Sequence, residues 1–367
     1  MYENLNALLQ SLCLTPAPSG FEGEMGRLVK SHLAPVCDRV ETDHIGNVIG
    51  IIEGTNPSLR PVMLNAHMDR VGFIVSSIDP DGYLKLCIVG TPNEKVLPGL
   101  TLSVRAKDGR WIPAVVGTKC AHLMTPEDAK RAPNLAECMI DLGVSSEDAV
   151  RALGIEVGAP VVFTPAYGAL SGSRVYGTAM DNCGCVAALI ESAAHLRKSP
   201  PERTVVLVAN VWEEYNQRGT TIPARAYNPI AILNMDMLLA GDTPDVRGHF
   251  NGAMGKGPML SCYNFVSTFF AGCIAHEGLL HLAGQTAQTL GIPVQRYVCV
   301  GGLGDNAYAM LENDGAAVLT MGAAVRYAHS SREIADLGDL DMLARLAAAM
   351  AQSIGPDFQP ARFPEPL

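Results

Sequence analysis

The sequence is short of basic residues: 27 Lys and Arg stand against 37 Asp and Glu, a formal charge of -10. The chain as a whole therefore lacks the cationic face that displaces counterions from a nucleic acid or an anionic membrane, and neither partner is expected. No uninterrupted apolar run is long enough to cross a bilayer. The opening Met1-Tyr2-Glu3-Asn4 lacks the basic-then-apolar pattern of a secretory signal, which makes the cytoplasm the expected compartment. Cys-x-x-Cys pairs are absent too. The ten cysteines are scattered through a long chain, which argues against a disulfide-stapled scaffold and against a thiolate zinc site. Any metal is expected on histidine and carboxylate. Internal repeats and low-complexity tracts are missing, so neither a solenoid nor a tethered tail is indicated.

What the chain does have is core-forming material, with 48% hydrophobic residues against 17% charged. At 367 residues it exceeds the usual size of one domain, which predicts a large core plus a second module. Helical periodicity runs from 5 to 34 with a break at Pro16-Ala17-Pro18-Ser19-Gly20, and Glu22 opens the second helix. Apolar strands follow at 47–52 and 61–66, the latter ending in His67-Met68-Asp69. From Val71 to about Ala166 the texture becomes short strands broken by Asp81-Gly82, Pro98-Gly99 and Asp108-Gly109. Helical spacing returns at 182–196, then strands at 204–211 and 229–235, then helices near 262–290 and 338–352. Alternating strands and helices imply an α/β core with a mostly parallel sheet flanked by helices. The core would comprise residues 1–70 and 167–367, with a small β-rich module inserted at 71–166.

Three apolar strands end in residues that bind hard or borderline cations: His67 and Asp69, Glu213 and Glu214, then Asp236. Open α/β sheets bind ligands at the carboxyl ends of their strands, so these ends should converge. Asp181 stands where a loop enters a helix, and His329 follows the apolar stretch at 316–321. Taken singly, paired glutamates are usually a solvated strand end and a lone histidine is usually structural; the shared location is what gives the set meaning. Two divalent ions about 3.5–4 Å apart need a bridging carboxylate. Asp181 is the expected bridge, with His67 and Asp236 on one ion and Glu214 and His329 on the other. Water at the position they share would have its pKa lowered to roughly 7 and supply hydroxide. Glu213, expected to alternate to the other side of an extended strand end, is the candidate general base. Asp69 is expected to accept the second imidazole N–H of His67. Zinc is the first choice for such donors, with cobalt and manganese as alternatives.

At these residues the sequence resembles the glutamyl aminopeptidase or TET family of dinuclear metallo-aminopeptidases, which includes deblocking aminopeptidases. The likeness runs nearly end to end, through Ser19-Gly20-Phe21-Glu22, Asp43-His44-Ile45-Gly46-Asn47, the segment from His67 to Phe73, Ala179-Met180-Asp181-Asn182, Glu213-Glu214, Asp236 and the segment from Arg326 to Ser330. The resemblance implies a core like that of zinc aminopeptidases and a barrel-like insertion that mediates dimer contacts, with dimers assembling in some relatives into dodecamers. It implies the same ligands and the same base, and peptides as substrates. Because the same metal apparatus serves any polarised amide, a deacylase-type hydrolase stays an alternative, as does an assembly protein that has lost catalysis.

The sequence departs from the family pattern in several places. The residue after His-x-Asp, usually acidic or Gln, is Arg70. The position after Asp-Asn, commonly Arg, is Cys183, which reads as a buried packing residue. Trp212 replaces a Gln, Asn216 stands where Gly is typical, and Gly-Gly-Thr-Asp becomes Gly302-Leu303-Gly304-Asp305. These changes are expected to bear on the specificity pocket and the substrate's approach. His122 reads as structural, and His195, His276 and His281 lack partners at ligand spacing. Gly255-Lys256-Gly257-Pro258 lacks the spacing of a phosphate loop and reads as a loop lining the site.

Overall fold

The structure is a computed structural model that describes residues 2–363. Four apolar segments, Val205–Asn210, Val62–His67, Ala231–Leu239 and Ala317–Val325, lie side by side as parallel strands at the centre of a nine-stranded sheet. They are buried almost throughout, as expected where helices cover both faces and no polar alternation is needed. Antiparallel strands Val48–Ile52 and Arg39–Thr42 extend one edge. Met259–Val266, with Ala271–Ile274 and Gln295–Val300 beside it, forms the other. Helices Glu3–Leu14, Met180–Lys198, Glu277–Leu290 and Leu337–Ser353 supply the main core on one face. A smaller apolar layer with Met63, Val206, Ile232 and Val318 covers the other. Among the described residues no helix is long and apolar enough to cross a membrane.

Six strands, from Gly72–Ile78 to Pro160–Phe163, close into a barrel with its own core. Inside it Phe73 and Phe163 meet edge to face, centroids 5.6 Å apart. A three-stranded sheet of Tyr167–Ala169, Arg174–Gly177 and Glu333–Asp336 adjoins the main sheet.

Two expectations need correction. The helix expected over 262–290 starts only at Glu277; before it the chain makes an antiparallel hairpin, Met259–Val266 with Ala271–Ile274, turning through Phe270 at φ +47°. Tyr263, Phe265 and Val266 favour a pleated surface, and Asn264 fixes the pairing by accepting the Cys273 amide, so strand chemistry overrides the apparent helical spacing. The strand expected to stop before Asp236 continues to Leu239. Asp236 therefore sits inside a strand, opposite Gly322 on the neighbouring one.

A side chain at Gly322 would collide with the Asp236 carbonyl oxygen. Gly322→Ala should destabilise the protein on the order of 3 kcal/mol, read as a lower urea midpoint at unchanged slope; an unshifted midpoint would show that the sheet has room there.

Candidate metal centre

Just below the strand ends, the central sheet carries a buried polar layer where apolar residues would otherwise continue. Asn65 donates to Asn234 at 2.6 Å, Asn210 to Asp305 at 2.8 Å and Asn306 to Thr320 at 3.1 Å. These bonds pair one polar atom of each side chain, while Asn65 Oδ1, Asn234 Nδ2, Asp305 Oδ1 and Asn306 Oδ1 stay buried without a partner. His67 ends its strand, Asp236 lies on the adjacent parallel strand, and Asp181 enters from the first turn of Met180–Lys198. That turn begins from Ala179 at φ +56° and contains a cis peptide between Asp181 and Asn182.

Glu213 and Glu214 do not alternate along an extended chain. They open the helical turn Glu213–Asn216, entered through Trp212 at φ +64°. Their side chains diverge because successive helical residues are rotated by about 100°. His329, at φ +62°, lies in the turn beyond Ala317–Val325. Left-handed conformations are rare for residues with a Cβ and persist where the surroundings dictate them.

The structure brings all of these side chains together. Nε2 of His67 lies 3.2 Å from Asp181 Oδ1, 3.6 Å from Asp236 Oδ1 and 3.9 Å from Glu213 Oε2. Nε2 of His329 lies 3.2 Å from Glu214 Oε1 and 3.6 Å from Asp181 Oδ2. The two oxygens of Asp181 thus face two separate groups, His67 with Asp236 and His329 with Glu214, each compact enough to hold one ion. Donors about 2.1 Å from a common ion in tetrahedral geometry stand about 3.4 Å apart, the spacing of the contacts to Asp181 and Glu214.

Orientation of the rings favours a cation over a proton. His67 Nδ1 faces the Asp69 carbonyl at 3.2 Å, and His329 Nδ1 faces the Thr91 carbonyl at 3.0 Å and the Thr91 hydroxyl at 2.8 Å. A ring that donates from Nδ1 to a carbonyl turns the Nε2 lone pair toward the carboxylates. Asp181 Oδ1 and Glu214 Oε1 are buried without a hydrogen-bond partner. Among the described residues, no Lys or Arg pairs with Asp181, Glu213, Glu214 or Asp236, whose ion pairs are all with the two histidines.

The electrostatics follow from this crowding. Burial disfavours the imidazolium of His67, but Glu213 and then Asp181, Asp236 and Asp69 outweigh it and hold its pKa well above the ordinary value. At His329 burial is likewise overcome, by Glu214 and Asp181, and the pKa rises to about 12. Burial, reinforced by Glu214, Asp236 and Asp305, pushes Glu213 well up despite His67. Asp181 goes the other way: burial would raise it, but the two histidines hold it below the carboxylate range.

Asp69 plays a different part from the one expected. Its carbonyl, rather than its carboxylate, is the nearer acceptor for His67. Its carboxylate takes the Glu213 amide at 3.0 Å, the Glu214 amide at 3.1 Å and the Ser19 hydroxyl at 2.6 Å. Glu333, which sequence reasoning missed, does the same on the opposite side, accepting the Asp181 amide at 2.9 Å and the His329 amide at 2.6 Å. It stands four residues after His329, at the start of the strand Glu333–Asp336, and nothing in its neighbourhood marks it in sequence. A cleft of about 760 Å³ opens above the cluster and is lined by His67, Asp181, Glu213, Glu214, Asp236 and His329.

Residues 46–346 match the M42 glutamyl aminopeptidase family model. The chain belongs to that family. A lysyl aminopeptidase of Pyrococcus furiosus is 30% identical, covering 96% of this chain and 99% of its own. The solved aminopeptidase of the archaeon Desulfurococcus kamchatkensis superposes with a TM-score of 0.89 at 30% identity, covering 96% of this chain and 95% of that one. The TET1 peptidase of Pyrococcus horikoshii, described as assembling into a tetrahedron or a large octahedral shell, gives 0.83 at 25% identity, with 95% and 99% covered. As an M42 protein the chain is a peptide hydrolase of the aminopeptidase type.

Within the M42 frame the departures fall into two groups. Arg70 and Cys183 touch each other: the Arg70 guanidinium, 2% exposed, donates to Cys183 Sγ at 3.6 Å and to the carbonyls of Leu12, Cys13 and Thr15. The positive charge that the resemblance leads one to expect after Asp-Asn stands here on the other member of one contact. Neither residue lines the cleft, nor does Trp212, whereas Asn216 and Leu303 do. The expectation that the changes beside the metal residues reshape the pocket therefore fails for Arg70, Cys183 and Trp212. The loop at Gly255-Lys256-Gly257-Pro258 is also away from the cleft; Asp339 holds it by the Gly255 and Gly257 amides.

Glu333→Gln keeps one acceptor and turns an NH2 toward the other amide. Divalent-ion affinity should fall about 10- to 100-fold by titration calorimetry; unchanged affinity would remove Glu333 from the support of the site. The Arg70–Cys183 contact predicts coupling. The double variant Arg70→Glu with Cys183→Arg should be more stable than the summed single losses imply, by more than about 1 kcal/mol. Simple additivity in urea unfolding would show that the two departures are independent.

Proposed function

We propose that the protein removes amino-terminal residues from peptides using two divalent ions, one held by His67, Asp181 and Asp236 and the other by Asp181, Glu214 and His329. The observation that carries this reading is the position of Asp181, whose two oxygens face two donor groups with no cationic side chain paired to it other than the two histidines. Zinc suits this mixed imidazole and carboxylate set. Ions held there would polarise the scissile carbonyl and acidify the attacking water.

The chain's own groups supply the rest. Glu213 reaches toward His67 from the helical turn and belongs to neither donor group, so it is free to take the water proton and return it to the leaving amine. Asp69 is a positioning residue: by binding the Glu213 and Glu214 amides it fixes the base and a ligand in one turn. The carboxylates around the cleft floor suit the ammonium group of a free amino end.

The β-rich segment 71–166 is assigned as a dimer contact. Exposed Ile88, Val115, Leu123 and Met139 give it an apolar surface, and the assembling TET1 relative supports a homo-oligomer, from a dimer up to a dodecamer.

Glu213→Gln should lower kcat on the best peptide substrate about 10²- to 10⁴-fold with two ions per subunit retained. Near-native turnover would show that another group is the base. Chelation should abolish turnover of the native protein and a divalent ion restore it. Exclusive cleavage of N-acylated substrates would favour a deacylase.

A further inference from the structure

The wall of the cleft beyond Asp236 is built almost entirely from side chains without charge. The strand that carries Asp236 continues into Leu238 and Leu239, the edge strands bring Val266, Tyr297 and Cys299, and the loop after them brings Leu303. That loop presses on the proposed ligand: a side chain at Gly304 would lie 3.0 Å from Asp236 Oδ2. Leu303, its neighbour in the chain, thus lines the cleft close to the proposed ion ligand Asp236. Leu238, Leu239, Val266 and Leu303 are only partly buried, and their free surface faces the cleft.

Arg218 is the only Lys or Arg among the lining residues. It lies on the segment following Glu213-Glu214, its guanidinium 4.9 Å over the Tyr308 ring, and it is exposed. The hydroxyl of Tyr297, buried and without a partner, is a neutral donor at the base of the apolar wall. A carboxylate or ammonium entering here would shed water without finding an opposite charge, whereas an aliphatic chain or a thioether would gain apolar contact.

We propose that this pocket selects neutral, apolar amino-terminal residues of the size of Leu and Met over Glu and Lys, with Leu303 as a specificity-determining residue. The inference rests on the aminopeptidase reading above. It sets this chain apart from the charged residues for which the M42 family and the Pyrococcus furiosus relative are named.

The test uses the zinc-loaded full chain and a panel of aminoacyl-p-nitroanilides. Leu and Met substrates should exceed Glu and Lys substrates at least about 10-fold in kcat/KM. In titration calorimetry, free leucine should bind more tightly than free glutamate or lysine. Leu303→Glu should move the Lys-to-Leu ratio toward Lys by about 10-fold or more, with metal content and thermal midpoint used to verify an intact fold. Best turnover of Glu would place the substrate side chain against Arg218 and overturn the pocket assignment while leaving the aminopeptidase reading standing. Best turnover of Lys, or an unmoved ratio in the Leu303 variant, would likewise overturn it. Failure on every free-amine substrate, with cleavage of N-acylated ones, would sink both.

Discussion

Asp69, Asp181, Glu213, Glu214 and Asp236 crowd around two imidazoles at the carboxyl ends of a buried parallel sheet, and the rest of the site answers to that concentration of negative charge. Like charges at such spacing repel strongly in a low-dielectric setting, and a carboxylate there needs a proton, a cation or a dense set of donors. The structure uses each remedy at a different residue. Asp69 is satisfied by donors, since two amides and a hydroxyl converge on it. Asp305, under the cluster, has its pKa raised to about 7 by burial, with Asp236 adding to the rise. Asp181 and Glu214 each keep a buried oxygen with no hydrogen-bond partner. Divalent ions fit best at those two.

Holding acids this close against their repulsion needs a backbone that cannot relax. Ala179, Trp212 and His329 occupy left-handed conformations beside or at the site, each costing on the order of 1–3 kcal/mol. Main-chain amides that donate to buried acids tie all three. Asp69 clamps the turn after Trp212, and Glu333 clamps both the turn after Ala179 and His329 itself. The site is therefore a double layer in which acids that face the cleft are held by acids that do not. The barrel shares in this, because Thr91 and Asn93, which follow its second strand, bond the ring and the carbonyl of His329.

The acids and histidines were legible in the sequence because most of them lie at or just beyond the ends of apolar strands, and strand ends converge in a parallel sheet; Asp236, inside its strand, is the exception. The geometry between them was less so. Glu213 and Glu214 read as an extended pair because Val205–Asn210 precedes them, whereas Trp212 reverses the backbone first. A single left-handed residue with a large side chain leaves no compositional trace. Glu333 escaped for a related reason, since it acts through two main-chain amides, and any polar segment can supply such an acceptor. Ser19 and the turn from Asp43 to Asn47 belong to the resemblance as bare motifs, and the structure gives them work. Ser19 bonds Asp69, and Asp43 folds a turn that aims Asn47 at the Val211 amide and the Gly219 carbonyl. The helix expected over 262–290 was misread because short apolar runs carry little information about period.

The departures from the family pattern show how such a site can vary. Arg70 and Cys183 lie behind the His67–Asp69 turn, where the charge they share is satisfied by carbonyls and hidden from the cleft; an exchange there preserves the scaffold without touching substrate. Asn216 and Leu303 stand on segments that line the cleft without belonging to either donor group, so they are free to change without disturbing the charge balance. The departures at Arg70 and Cys183 thus lie behind the acids, and those at Asn216 and Leu303 on the wall of the cleft. The acids in between admit little, because each is bound to the others through the charge it holds in check.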